Sequence, residues 1–283
     1  MKICLFVLTI ALAACVSGCS LMDRFGKKKS KDAGQFANVD DPSRAVPAPP
    51  TVPPPSTTPP PQRPPSGYPV SGSLQNNPVP VRVSGNTQVS ISKASVNGPF
   101  IAMTFDDGPH PKNTPRLLDI LAQRNIKATC YVVGTNAKRY PDLLRRMVAE
   151  GHEIGNHTVN HLGLSRISDA KIRSELGGAH QAIVDACGVP PTTMRPPYGA
   201  VTSHQKQWIF NEFGYTTVMW SVDPRDWQRP GSSVVARRLV EGSRNGSILL
   251  AHDIHSPTID AIPSAMDELL RRGFRFVTVS QLM

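Results

Sequence analysis

The rhythm of apolar and polar positions changes sharply near residue 96. Before that point no period holds. Beyond it, short apolar runs alternate with stretches whose apolar side chains recur every three to four residues, the helical period. Apolar runs of strand length fall at residues 100–105, 128–133, 152–156, 193–195, 216–222, 247–251 and 275–279. Between them the helical period predicts helices at 114–125, 141–150, 168–186, 203–214, 232–241 and 257–272. Thr114 and Pro115 read as a cap followed by proline at the first helical position, Ser168 as a second cap, and Gly151 and Gly214 as stops. About seven strands alternating with helices imply parallel pairing through right-handed crossovers. The expected fold is α/β: an irregular (β/α) barrel of about seven parallel strands, preceded by a disordered Pro-rich tether. No G-x-G-x-x-G follows the first strand and no P-loop occurs, so no nucleotide cofactor is expected. In such barrels chemistry gathers where strands end and loops begin.

The aperiodic N-terminal third has its own pattern. Lys2 precedes an apolar run over residues 3–16 that is too short to span a bilayer and fits an export signal. The run ends in Val16-Ser17-Gly18-Cys19, with a second small-residue site at Leu12-Ala13-Ala14-Cys15. Both resemble a bacterial lipoprotein signal, in which the cysteine is lipidated and becomes N-terminal. The reading taken is a signal over residues 1–18 and lipidation at Cys19. Cys15, or an ordinary secretory signal, stays open. Ser20 would favour an outer membrane, if the organism has one. The expected location is therefore exported, a membrane lipoprotein facing the periplasm or cell wall. Residues 19–95 read as the tether, since 42–80 hold 15 of the 28 prolines and no packed core tolerates that density. Stiff polyproline II over that stretch would reach roughly 120 Å, and a random coil nearer 35 Å. Lys27, Lys28, Lys29 and Lys31 mark either a solvated linker start or an attraction to anionic lipid.

Composition narrows the remaining classes. The chain has 283 residues and a formal charge of +10, but residues 96–283 carry 21 basic and 17 acidic side chains. A domain so mildly basic is not expected to bind nucleic acid. No glycine period, long heptad run or apolar stretch of about 20 residues occurs, which excludes collagen, coiled coil and multispan membrane protein. Cys130 and Cys187 are expected as buried small apolar residues, although an export compartment permits a bridge.

Five polar clusters fall at successive strand ends. Asp106-Asp107-Gly108-Pro109 is either an Asp-Gly turn or a carboxylate pair in which one binds a cation and its neighbour acts as a base. His157 and His161, four apart, would face the same way on a helical turn and reach one ion. Alone that signal is weak. With Asp107 it becomes two histidines and a carboxylate, and three protein ligands describe a catalytic metal. Arg195-Pro196-Pro197-Tyr198-Gly199 makes a stiff turn that can aim a backbone N–H at an oxyanion. Asp223-Pro224-Arg225-Asp226-Trp227 follows the fifth strand, and Leu249-Leu250-Ala251-His252-Asp253 ends the sixth. A histidine there can act as an acid, held and tuned by an aspartate.

The segments TFDDGP, HTVNH, RPPYG, DPRDW and LLAHD, in this order and spacing, resemble the NodB-like polysaccharide deacetylases, carbohydrate esterase family four, over residues 98–283. The resemblance implies a hydrolase that removes N-acetyl groups from an N-acetylated polysaccharide with a divalent metal. It implies Asp106 as general base, Asp107, His157 and His161 as metal ligands, and Arg195 as the support of Asp106. The Tyr198 N–H would stabilise the oxyanion, and His252, tuned by Asp226, would protonate the leaving amine. Leu250 and Trp227 would shape the slot for the acetyl methyl. Zinc suits such ligands, with cobalt, nickel or manganese open. A lipid anchor and long tether point to peptidoglycan, with chitin oligomers, an exopolysaccharide or a non-catalytic glycan-binding module as alternatives. His110 and His255 match no role.

Overall fold

The computed structural model describes residues 88–283. The expected signal, Cys15, Cys19 and most of the tether lie outside the described residues. Strand β2 (Phe100–Asp106) is buried on both faces, which is the mark of a central parallel strand. Its side chains alternate with period two. Ile101, Met103 and Phe105 enter the main core with the surrounding helices, while Phe100 and Ala102 join a second cluster with Tyr131, Val218 and Ile248. Thr104 and Asp106 continue the second face and meet Arg195.

Around β2 run β3 (Thr129–Val132), β4 (Glu153–Asn156), β5 (Thr193–Met194), β6 (Thr216–Val218) and β7 (Ile248–His252), all parallel to their neighbours. β8 (Arg275–Phe276) pairs with the start of β2. The expected strand 216–222 breaks after Val218 because the carbonyls of Val218 and Met219 turn to accept from Arg195. The chain rejoins at Val222, which bridges Leu249 and closes the ring against β7.

The structure departs from the expected elements at three further places. Ser90–Ile91, assigned to the tether, form strand β1 and pair in parallel with β6, so the folded part begins before residue 96. A short helix, α2 (Gly134–Arg139), fills what reads as a loop. The last expected strand stops at Phe276, because Thr278 and Gln281 form a capping box that starts α8 (Val279–Leu282).

The helices otherwise follow the pattern: α1 (Asn113–Gln123), α3 (Pro141–Ala149), α4 (Asp169–Cys187), α5 (Ser203–Phe213), α6 (Ser232–Gly242) and α7 (Ser256–Arg271). Ser168 caps α4, as expected. Thr114 does not cap α1. That end is held by His110, whose Nδ1 accepts from the N–H groups of Lys112 and Asn113 at 3.2 and 3.1 Å. Cys130 is buried in the main core, Cys187 packs at its edge, and both are free. No described helix is long and apolar enough to cross a membrane.

Gly155 in β4 tests how closely the barrel interior is packed. A Cβ there would stand 2.3 Å from the Tyr131 ring, whose side chain has no exposed surface. Gly155→Ala is expected to lower stability by about 1–3 kcal/mol in urea unfolding. At Gly177, inside α4 with nothing within 4 Å of a new Cβ, alanine is expected to raise it by about 0.5–1 kcal/mol.

Candidate active site

The floor of the site is a buried ion pair. Arg195, with no exposed surface, donates through Nη1 to Asp106 Oδ1 at 2.8 Å and to Thr104 Oγ1 at 2.6 Å. Its Nε and Nη2 donate to the carbonyls of Val218 and Met219 at 3.1 Å each. Its guanidinium carbon lies 4.3 Å from the centre of the Tyr131 ring. Asp106 is thereby fixed by one oxygen, while its Oδ2 points toward His157 Nε2, 3.9 Å away.

Asp107 turns the other way. Its φ of +75° bends the chain out of β2, so the two carboxylates diverge through a left-handed residue rather than through strand alternation. The histidines also reach their places differently from expectation. Residues 157–161 form no helical turn. They make a loop with left-handed Thr158 and His161, and this loop brings both Nε2 atoms to Asp107 Oδ1, at 3.3 Å from His157 and 3.0 Å from His161.

His157 Nδ1 lies 2.7 Å from the Arg195 carbonyl, which can only accept. Nδ1 therefore carries the proton and Nε2 presents its lone pair. Asp107 Oδ1 is buried and finds no hydrogen-bond partner, although two imidazole nitrogens stand beside it. An anionic oxygen facing ring nitrogens is satisfied by a shared cation, and the three ligand atoms lie within 4.8 Å of one another. The donor set thus fits a divalent metal. Burial pushes the Asp107 carboxyl up, but the imidazoles of His157 and His161 and the nearby His252 more than offset this, holding it well below the usual carboxylate range.

Across the cavity stands His252, the last residue of β7. Its Nδ1 is 2.8 Å from Asp226 Oδ1, and its backbone N–H donates to Asp226 Oδ2 at 2.8 Å. Thr258 on α7 donates to the same Oδ2 at 2.9 Å. Burial lowers the imidazole pKa, but Asp226 and the carboxylates of Asp106 and Asp107 push it up to about 9. Near neutral pH this partly exposed imidazole is then an imidazolium, poised to give up a proton. Asp253, next in sequence, faces away beneath Gly108 and accepts from Thr114. Burial there, with Asp107 and Asp106 nearby, pushes its carboxyl up to about 7.

These groups open on a cavity of about 520 Å³. Asp106, Asp107, His157, His161, Tyr198, Trp227, Leu250 and His252 all line it, so eight expected site residues meet in one place. Arg195 lies beneath them and Asp226 behind His252. Tyr198, left-handed at φ +60° and mostly exposed, brings its hydroxyl to 3.2 Å from His161 Nδ1. Leu250 is buried and Trp227 half exposed at the rim.

The cavity is also lined by Pro196 and Asp223, which stand in the strand-end clusters without an assigned role, by His255, which matched none, and by Trp220, which the sequence reading missed. It missed Thr104, Thr258 and Glu175 as well. In the sequence Trp220, Thr258 and Glu175 look like ordinary strand or helix positions, because their partners lie far along the chain.

Comparison with known proteins gives the family and the fold. The family model described as polysaccharide deacetylase matches residues 93–218. A peptidoglycan-N-acetylglucosamine deacetylase of Bacillus cereus is 40% identical over 192 residues, which cover 66% of this chain and 89% of that one. The peptidoglycan-N-acetylglucosamine deacetylase PgdA of Listeria monocytogenes is 37% identical over 192 residues. There the match takes in 68% of this chain but spans only 40% of the relative's length. Among solved structures, the peptidoglycan deacetylase PdaC of Bacillus subtilis superposes with a TM-score of 0.62 at 34% identity, over 66% of this chain and 90% of that one.

The Asp226–His252 pair carries a titration signature. The raised imidazole pKa means that the pair's contribution to stability is whole below about pH 6.5, the ordinary imidazole value, and fades as pH rises through about 9. Asp226→Asn is expected to bring the His252 ring titration down, read by NMR, and to remove most of that pH-dependent stability.

Proposed function

This chain belongs to the polysaccharide deacetylase family, and on that premise we propose that it hydrolyses N-acetyl groups from N-acetylglucosamine residues of an extracytoplasmic polysaccharide, with peptidoglycan as the favoured polymer. The observation that carries this reading is the two-sided cavity. An unpartnered buried Asp107 oxygen between two imidazoles faces a His252–Asp226 pair, with Asp106 fixed between them.

Asp107, His157 and His161 would hold a divalent ion, and zinc suits their nitrogen and oxygen donors, as do cobalt, nickel and manganese. Such an ion supplies a Lewis acid for the amide carbonyl and acidifies water. Asp106, its Oδ1 engaged by Arg195, takes the proton of the attacking water. The Tyr198 N–H donates to the oxyanion that develops. Loss of one such donor typically costs about 3–4 kcal/mol of barrier. An amide nitrogen does not leave as an anion, so His252 gives it a proton while Asp226 balances the imidazolium. Leu250 and Trp227 form the slot for the acetyl methyl. The products are acetate and a free amine on the sugar.

The domain plan supports a cell-wall substrate. Residues 1–18 serve as signal peptide, Cys19 carries lipid, and the proline-rich segment lets the catalytic part reach a polymer away from the membrane. Several acyl chains on one residue would anchor stably, where a single chain would not.

Acetate release from peptidoglycan, chitin oligomers and an exopolysaccharide, measured side by side, tests the reaction and ranks the substrates. No release from any of them defeats the proposal. Chelator is expected to abolish release, and zinc or cobalt to restore it.

The two aspartates should fail differently. Asp106→Asn is expected to keep its metal and lose about 10²–10⁴-fold in turnover, the usual consequence of removing a general base. Asp107→Asn is expected to lose metal affinity and to recover partly in excess metal. Metal content and acetate release on both variants check this, and the opposite pattern reverses the roles.

In cells, Cys19→Ala is expected to move the protein from the membrane to the soluble fraction. Release by Cys15→Ala instead would relocate the lipid.

A further inference from the structure

We propose that Glu175 is the positioning residue that holds the 157–161 loop in its ion-binding shape and so sets the affinity of the site for a divalent cation. The inference rests on the metal-centre reading of Asp107, His157 and His161.

The loop is strained. Thr158 sits at φ +65° and His161 at φ +57°, and a β-branched residue such as threonine rarely adopts that region. Such conformations persist only where the surroundings over-determine them. Glu175, on α4, supplies a buried carboxylate that meets the loop backbone between them. It is 1% exposed, lies outside the cavity lining and touches none of the proposed ligands. Its Oε2 accepts from the N–H groups of Val159 and Asn160 at 3.1 and 2.8 Å, and its Oε1 accepts from Asn160 Nδ2 at 2.9 Å. These three bonds fall on the two residues between the left-handed Thr158 and Asn160's neighbour His161.

Burial pushes the Glu175 carboxyl up, but the bonds from Asn160 and the Lys171 ammonium, 3.1 Å away, more than offset it, and the group stays ionised. Charge-assisted bonds to backbone N–H are about twice as strong as neutral ones.

Packing closes the remaining freedom. The Gly134 and Thr135 N–H groups, opening α2, donate to the carbonyls of Thr158 and Val159 at 2.8 and 3.1 Å. On α4, a Cβ on Gly178 would stand 2.8 Å from Val159 Cγ2, so the helix approaches the loop closely enough for Glu175 to reach its backbone. A carboxylate so placed can neither bind the ion nor touch substrate. It fixes the direction in which the two imidazoles point.

In Glu175→Gln one oxygen becomes an NH₂ group that must face an N–H donor or Asn160 Nδ2. The full chain, stripped of metal, is titrated with cobalt(II), following visible absorption and heat. Glu175→Gln is expected to bind cobalt about 10–100-fold more weakly than wild type, the usual effect of removing an outer-shell support, with turnover restored at saturating cobalt.

Asn160→Ala, which removes one of the three bonds, should weaken binding less. Arg173→Gln, on the same helix but paired with Glu212, should leave it unchanged. Urea unfolding of the metal-free variants separates a stability loss from an affinity loss. A Glu175→Gln protein that binds cobalt as wild type does overturns the proposal. If that variant does not fold, unchanged affinity in Asn160→Ala overturns it instead. A wild-type chain that binds no cobalt defeats the metal-centre reading itself, and the inference with it.

Discussion

A guanidinium with no exposed surface sits in the middle of this barrel, and the rest of the site is arranged by its needs. A buried charge is costly unless it is paired and its donors are satisfied. Arg195 meets that demand with Asp106, Thr104 and two carbonyls, of Val218 at the end of β6 and of Met219 just beyond it. Its own carbonyl then accepts a hydrogen bond from the Nδ1–H of His157. One residue thus joins β2, β5 and β6, orients the carboxylate at the cavity floor through its side chain and selects the tautomer of a proposed ligand through its carbonyl. Removing either partner would leave the other buried and unpaired, so structure and chemistry cannot be separated at this position.

The two walls of the cavity are held independently. On one side the histidine loop is gripped by α2 and α4. On the other, Asp226 receives three bonds from His252 and Thr258, which ties the loop after β6 to β7 and α7. Left-handed residues concentrate between these supports: Asp107, Thr158, His161, Tyr198 and Arg225 all lie in strand-end loops. Each costs backbone energy, and at Asp107, His161 and Tyr198 the side chain so turned lines the cavity. Helices and strands provide the rigid frame, and local strain at their ends provides direction.

The order of elements was legible because burial imposes its own period. β2 reads as a continuous apolar run because both its faces are covered, and α4, expected over 168–186, runs from Asp169 to Cys187 behind its Ser168 cap. The five polar clusters were legible because they interrupt those runs at strand ends. Eight residues named from them line one cavity. Where the reading failed, the deciding partner was distant. Thr216–Val218 looks like the start of a longer strand until Arg195 draws two carbonyls away. Ser90–Ile91 look like more tether until β6 offers an edge.

By itself, then, the chain's pattern determined an alternating α/β plan, the residue types of the chemistry and their assignment to successive strand ends, because those are properties of local period and spacing. Only the tertiary structure decided how they face one another. The divergence of Asp106 and Asp107 comes from a left-handed turn, and the convergence of His157 and His161 from a loop held by a helix acid fourteen residues beyond His161. The protonation of His252 comes from an aspartate twenty-six residues earlier and not from its neighbour Asp253. Direction and charge state depend on which groups share a buried volume, and shared volume is set by the fold.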